Sequence, residues 1–109
     1  MRTAAEPAEA VKPGVYRHIV LTDKLMTVVI DFSGGPWPQP DPPHSHPHEQ
    51  ITYIASGDLI FFAAGSAPER LGAGDLFAVP PDVPHSIQLL SESARLVDSF
   101  APVREDFLK

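Results

Sequence analysis

The chain has 109 residues, of which 43% are apolar, and a length of this order allows one domain with one core. Its formal net charge of −6 and scattered basic residues exclude a general affinity for nucleic acid or anionic membranes. It contains no cysteine, which excludes disulfides, thiolate nucleophiles and Cys-based zinc sites.

The N-terminal segment 1–14 is rich in Ala and Glu and ends at Pro13-Gly14, so we expect a polar leader followed by one domain over 15–109. The first dozen residues lack the apolar core of a signal peptide. The longest apolar stretch, 59–64, is too short to span a bilayer. These features favour a soluble cytoplasmic protein.

The remaining pattern predicts short strands and no long helix. Runs rich in β-branched and aromatic residues alternate with Gly/Pro corners, and the 13 prolines favour tight, rigid connections between strands. Such a series predicts an all-β sandwich or closed barrel. The predicted strands cover residues 15–21, 25–32, 51–54, 59–63, 76–79, 85–90 and 94–100.

The connection 33–43 contains five prolines and two glycines. Proline fixes its own φ and has no N–H for a sheet ladder, so we expect a rigid, extended loop here. Prolines in such a loop usually provide stiffness, and we assign the segment no catalytic role.

Four of the five histidines lie in two places, His44-Ser45-His46-Pro47-His48 and His85. Side chains two apart on a strand share a face, which would bring His44, His46 and Gln50 to one point. His85 follows a proline corner on another strand. Three imidazoles and an amide oxygen suit one divalent transition metal: Zn, Ni, Fe, Mn or Co.

Glu49 and His48 lie next to these candidate ligands in the sequence. Glu49 has the opposite parity and is expected to face away from the metal. His48 has the right parity for an additional ligand, but Pro47 is expected to turn it toward the rim of the site.

Two sequence segments together resemble the motifs of the cupin family. His44-Ser45-His46-Pro47-His48-Glu49-Gln50 with Gly57 resembles the first motif, and Gly74-Asp75, Pro80 and His85 resemble the second. Gln50 stands where the motif usually has Glu, and Asp82 stands where Gly is frequent. The resemblance implies a single-domain cupin double-stranded β-helix, a jelly-roll-like barrel with one bound metal ion.

The last predicted strand alternates Leu96, Asp98 and Phe100 onto one face. We expect this face to point inward, because the opposite arrangement would expose both apolar residues together. A carboxylate on an inward face is unusual, since burying an unpaired charge is costly. Asp98 is therefore a candidate functional residue.

The series Asp98-x-Phe100-x-Pro102-x-Arg104, combined with the histidine segment, resembles the small cupins of pectin and alginate catabolism that linearise 4,5-unsaturated uronates. The resemblance implies Asp98 as the acid/base group, Phe100 as a contact for the sugar and Arg104 as a clamp for its carboxylate. It also implies a small anionic sugar as substrate. A homodimer through the N-terminal strands would suit so small a barrel.

Other functions stay open, because fold alone does not determine function. A metal-dependent oxygenase would consume dioxygen with its substrate. A non-catalytic sugar- or metabolite-binding cupin would bind its ligand whether or not Asp98 were ionisable. An isomerase or cyclase acting on another carbonyl compound is the third alternative.

Overall fold

A computed structural model describes residues 9–108, and nearly all of its regular secondary structure is β-strand. The all-β prediction is confirmed. Among the described residues, no helix has the length and apolar character needed to cross a membrane. The elements in chain order are β1 (Glu9–Lys12), β2 (Val15–Leu21), β3 (Met26–Phe32), β4 (Glu49–Ser56), β5 (Asp58–Ala63), β6 (Glu69–Gly72), β7 (Leu76–Val79), β8 (His85–Leu89), β9 (Ala94–Ala101) and one 3-10 turn (Glu105–Leu108).

The strands form two antiparallel sheets. A six-stranded sheet has the order β1-β2-β3-β9-β4-β7, and a three-stranded sheet has the order β6-β5-β8. The sheets pack against each other as a jelly-roll-like sandwich and do not join into one continuous closed barrel. Strand β9 lies between β3 and β4, and it is therefore central to the larger sheet.

The core lies between the two sheets and divides into two clusters. Alternation along β4 and β9 turns every second side chain inward, as the period of two requires. One cluster joins residues of both sheets, and the other belongs to the larger sheet near the candidate site. Their buried members are Ile54, Leu59, Phe61, Phe77, Val79 and Leu96 in the first cluster and Ile19, Met26, Val28 and Phe100 in the second.

Two strands lie where none was predicted. Strand β1 falls inside the segment expected to be a leader, because residues 9–12 pair with the start of β2. Strand β6 has four residues, of which only Leu71 packs against the core, so it is too short to show a hydrophobic alternation by which it could be recognised. The division of the chain into a leader (1–14) and a barrel (15–109) stays a prediction, and residues 1–8 lie outside the described residues.

The chain leaves the larger sheet one residue after the end of the last predicted strand. Strand β9 ends at Ala101, because the next residue, Pro102, has no N–H to continue the ladder. The chain then turns into the 3-10 segment. Arg104 consequently lies on a turn that folds back toward the sheet rather than on the strand.

Gly57 lies at a tight corner where the backbone passes close to Ala94. Its φ is +102°, and a Cβ added there would lie 2.5 Å from the Cβ of Ala94. We expect Gly57→Ala to lower the free energy of unfolding by about 2–5 kcal/mol. The loss has two sources, the left-handed backbone conformation and the steric overlap of the new Cβ with Ala94. Gly65→Ala is the control, since Gly65 has φ +84° and open space around it, and should cost about 1–2 kcal/mol. If equilibrium denaturation showed the same loss of unfolding free energy for both variants, the close contact between Gly57 and Ala94 would be contradicted.

Candidate metal centre and active site

The structure brings the three predicted histidine ligands together. The ligand atoms of His44, His46 and His85 all lie within 4.8 Å of one another. The rings of His44 and His85 have centroids 4.4 Å apart, and those of His46 and His85 are 5.0 Å apart. His46 and His85 are buried, whereas His44 is exposed at the mouth of the site.

The histidines converge for a different reason from the one predicted. Strand β4 begins only at Glu49, so His44 and His46 precede it and strand parity does not align them. Instead, His44 and His85 exchange backbone hydrogen bonds of 3.0 and 2.9 Å across an isolated bridge. The backbone N–H of Asp82 donates to the carbonyl of His46 at 2.8 Å. The second motif therefore holds the first in place.

Two residues in these segments behave as expected. Asp82 has φ +63°, the left-handed conformation that Gly usually supplies and that Asp tolerates. Glu49 is exposed and faces away from the histidines.

His85 presents a ring nitrogen suited to a metal. Its Nδ1–H donates to the carbonyl of Val83 at 2.8 Å, which leaves the lone pair on Nε2. That Nε2 atom is buried and has no hydrogen-bond partner among the described residues. A buried acceptor without a partner is costly, and a cation at this position would satisfy it.

His46 and Gln50 provide a second indication of a cation. The Nδ1 atom of His46 lies 3.1 Å from the carbonyl of His48, which can only accept, so Nδ1 carries the hydrogen. Its Nε2 then faces the amide oxygen of Gln50 at 3.0 Å. Two acceptors this close repel each other unless a positive charge, from a metal ion or a second ring proton, lies between them. Two ligand bonds of about 2.1 Å at right angles would place such atoms about 3 Å apart.

Thr52 determines which way the Gln50 amide points. The Thr52 hydroxyl is fully buried and donates to Oδ1 of Asp98 at 2.5 Å. Having given away its only hydrogen, it accepts one from Nε2 of Gln50 at 2.9 Å. The amide oxygen of Gln50 is thereby directed toward His46. The donor set fits a divalent metal held by His44, His46, Gln50 and His85.

Asp98 points inward, as predicted, between buried Leu96 and Phe100. Burial raises the pKa of Asp98 to about 6, although the hydrogen bond from Thr52 and the charge of Arg104 both act in the opposite direction. A carboxyl group in this condition can be a proton donor or acceptor near neutral pH.

The histidine rings respond to the same environment in the opposite sense. Burial lowers the pKa of His44 and of His85, and the positive charge of Arg104 lowers both further. Neutral imidazole is the form that binds a metal, so these shifts favour binding.

A central cavity of about 140 Å³ opens beside these groups. This is about ten times the roughly 10–15 Å³ that one water requires, so a small molecule has room. Its walls include His44, Gln50, His85, Asp98, Phe100 and Arg104.

Arg104 lines the cavity but is already engaged on one edge. Its Nε and Nη2 atoms donate to Asp106 at 3.3 and 2.8 Å, and its side chain is only 13% exposed. The guanidinium carbon lies 4.0 Å from the ring centroid of Phe107 and 5.1 Å from that of Phe100. These contacts hold the cation in place, and neither hydrogen bond to Asp106 uses Nη1.

Phe100 is buried more deeply than a simple sugar-stacking residue would be, with 2% exposure. Its ring packs edge-on against His46 and against Phe107, with centroids 5.7 Å apart in both pairs. It therefore supports a predicted ligand as well as lining the cavity.

A family model for the cupin domain matches residues 37–100, more than half of the chain. The chain belongs to the cupin family. The fold predicted from the two motifs is thereby confirmed.

Within the cupin family, this chain is similar to proteins of pectin degradation. It is 34% identical over 104 residues to the pectin degradation protein KdgF of Dickeya dadantii, covering 94% of this chain and 91% of that protein. The structure of KdgF from Halomonas sp. superposes with a TM-score of 0.82 and 33% identity, over 94% and 93% of the two chains. The predicted resemblance to pectin-catabolism cupins is confirmed.

A more distant relative matches a smaller part of this cupin. Dimethylsulfoniopropionate lyase DddQ of Ruegeria pomeroyi is 42% identical over 65 residues. The match covers 60% of this chain and 31% of DddQ, so it is confined to part of each protein.

Three residues of the site were missed from the sequence. Thr52 lies two positions after Gln50, so strand parity could have placed it inward, but its pairing opposite Asp98 depends on the β4–β9 register. Asp106 contacts Arg104 through a turn with no regular period. Asp41, from the Pro-rich loop, also lines the cavity. His48 is half-buried, and its carbonyl holds the His46 ring.

Thr52→Val tests the hydrogen-bond chain. Removing the hydroxyl leaves the Gln50 amide and the Asp98 carboxyl without their shared partner, and metal affinity should fall about 10–100-fold. The free energy of unfolding should fall by about 1–3 kcal/mol. The control is Thr27→Val, whose hydroxyl lies 3.1 Å from Ser99 away from the cavity. Competition titration with a chelator measures the metal affinity of both variants, and urea denaturation measures their free energies of unfolding. Unchanged metal affinity in Thr52→Val would show that the hydroxyl does not orient Gln50 for the metal.

The raised pKa of Asp98 predicts a pH-dependent stability in the metal-free protein. Folding strengthens proton binding to this carboxyl, since its pKa is about 6 in the folded state and about 3.9 ordinarily. Its stabilising contribution is therefore fully present below about pH 4 and is lost as the pH rises through about 6.

We expect the stability of the wild type relative to Asp98→Asn to fall by up to about 3 kcal/mol between pH 4 and pH 7. Taking the difference between the two proteins removes most of the contribution of the histidines, which titrate in both. Urea denaturation of both proteins at each pH, in the presence of a chelator, measures this difference in stability. A difference that stays flat over this range would contradict the buried carboxyl.

Proposed function

We propose that this chain is a metal-dependent cupin that linearises 4,5-unsaturated uronates to open-chain keto sugars. The observation that carries the proposal is Asp98, a buried carboxyl that lines the same cavity as His44 and His85 of the three-histidine group. Similarity to pectin degradation proteins over nearly the whole chain supports this choice of substrate class.

The chemistry of the substrate matches the groups around the cavity. A cyclic unsaturated uronate carries a carboxylate, an enol-ether double bond and an anomeric hydroxyl. Ring opening removes a proton from that hydroxyl and adds one to carbon 4 of the double bond. A bound divalent ion would supply Lewis acidity toward the oxygen atoms of the substrate.

The side chains of the cavity divide the remaining tasks. Asp98 moves a proton, since its pKa allows both protonation states near neutral pH. Arg104 binds the substrate carboxylate through the Nη1 side that Asp106 leaves open, an attraction that the net negative chain cannot supply through its overall field. Phe100 and Phe107 cover this wall with apolar rings and keep water away from the reacting atoms.

The metal, the oligomeric state and the cellular location belong to the same proposal. Any of Zn, Ni, Fe, Mn or Co suits the donor set, because imidazole and amide ligands do not discriminate strongly among them. We propose a cytoplasmic protein that acts as a homodimer on a small anionic sugar.

An assay of the metal-loaded protein on an unsaturated uronate tests the function. The absorbance of the conjugated double bond should decay faster than without enzyme, and equally fast under nitrogen. Asp98→Asn should lower kcat by about 100-fold or more, because it removes the proton-transferring group. Asp31→Asn is the matched control, since Asp31 pairs with Arg95 on the surface and should leave the rate unchanged.

The alternatives give different results in this assay. Oxygen uptake coupled to substrate loss would indicate an oxygenase. Binding of the sugar without conversion, unaffected by Asp98→Asn, would indicate a binding protein. Decay at the uncatalysed rate would refute the proposed reaction.

A further inference from the structure

The Pro-rich loop 33–43 is held beside the smaller sheet by backbone hydrogen bonds. The N–H groups of Trp37 and Asp41 donate to the carbonyls of Leu89 and Ile87, at 2.9 and 3.1 Å. The side-chain amide of Gln88 donates to the carbonyl of Trp37 at 3.0 Å. The loop thus follows β8 as an added edge, and its prolines occupy positions that need no donor. Asp41 is therefore carried by a stiff segment in a defined position.

Asp41 and Asp98 reach the central cavity from opposite sides. Asp41 lies beside β8 of the smaller sheet, whereas Asp98 lies on β9 in the middle of the larger sheet. Both line the cavity, and Asp41 is half-buried there. Asp41 is also close enough to act electrostatically on His44, where its charge partly offsets the lowering of the pKa by burial.

Asp98 is too tightly held to serve two distant atoms. It is buried, and one carboxyl oxygen is bound by the Thr52 hydroxyl at 2.5 Å. The proposed reaction needs proton transfer at two places, the anomeric hydroxyl and carbon 4. The anomeric carbon and carbon 4 stand across the six-membered ring from each other. A single anchored carboxyl can face only one of them.

The other titratable groups along the cavity do not fill the second role. Among the described residues, these are Asp41, His44, His85 and Arg104. Arginine stays protonated and cannot accept a proton. The two histidines are predicted metal ligands and use their lone pairs there. Asp41 remains as the group able to accept a proton.

We propose that Asp41 is a second catalytic carboxylate, which accepts the proton of the anomeric hydroxyl while Asp98 protonates carbon 4. This inference rests on the proposed function. As the hydroxyl loses its proton, the carbonyl forms and the bond from the anomeric carbon to the ring oxygen breaks. The electron pair of that bond makes the second carbonyl, and the double-bond pair takes the proton from Asp98. The step is an isomerisation, and exchange with water resets both carboxyl groups.

Kinetics of Asp41 variants on an unsaturated uronate test this role. Asp41→Asn should lower kcat by about 100-fold or more while KM changes only a few-fold, because the base is lost and the binding groups remain. Asp41→Ala should lose as much and regain part of its rate when formate is added, since a small carboxylate can enter at the exposed mouth. Gln39→Ala, an exposed position of the same loop, is the control and should behave as the wild type.

Metal affinity measured by competition separates a catalytic role from a structural one. Unchanged affinity in both Asp41 variants, together with formate rescue, supports the proposal. Weakened affinity without rescue overturns it, because Asp41 would then position His44. A wild-type rate in Asp41→Asn also overturns it and leaves the proposed function intact. An inactive wild type refutes the proposed function itself, and that result is visible before any variant is made.

Discussion

The single hydrogen of the Thr52 hydroxyl is the constraint on which the arrangement of the site depends. It is given to Asp98, so the hydroxyl must accept from the amide of Gln50. The amide oxygen is consequently directed at the ring of His46. One buried hydroxyl therefore couples a predicted metal ligand to the group expected to transfer protons. A change of charge at either end is felt at the other through two short hydrogen bonds.

Burial acts on the two kinds of titratable group in opposite directions. It raises the pKa of Asp98 and lowers the pKa of His44 and His85, so all three are biased toward their neutral forms. The guanidinium of Arg104 is the fixed positive charge among them, held by Asp106 and two aromatic rings. A cavity of this kind repels additional cations except where lone pairs converge. It accepts an anion most readily on the side of Arg104.

Residue pattern was sufficient for the strands with clear hydrophobic alternation, for the two motifs and for the inward face of β9, but not for β1 and β6. Alternation placed Leu96, Asp98 and Phe100 inward because the period of a strand is local. It did not explain how the histidines meet, because His44 and His46 precede β4 and are held by backbone bonds to another segment.

Contacts between segments that are distant in the sequence could not be predicted from local residue alternation. The pairing of Thr52 with Asp98 depends on the register of two strands far apart in the chain. The contact of Arg104 with Asp106 depends on the turn after Pro102. The position of Asp41 depends on the path of a loop whose composition indicates stiffness but not direction.

That loop also protects the molecule from unwanted association. Strand β8 forms one border of the smaller sheet, and such borders can recruit strands from other chains. The Pro-rich segment lies along this border and takes up its carbonyl groups. Its own outer side is interrupted by residues that lack an N–H, so it offers a poor template for further pairing. The composition that stiffens the entrance to the cavity thereby also guards this side of the sheet against aggregation.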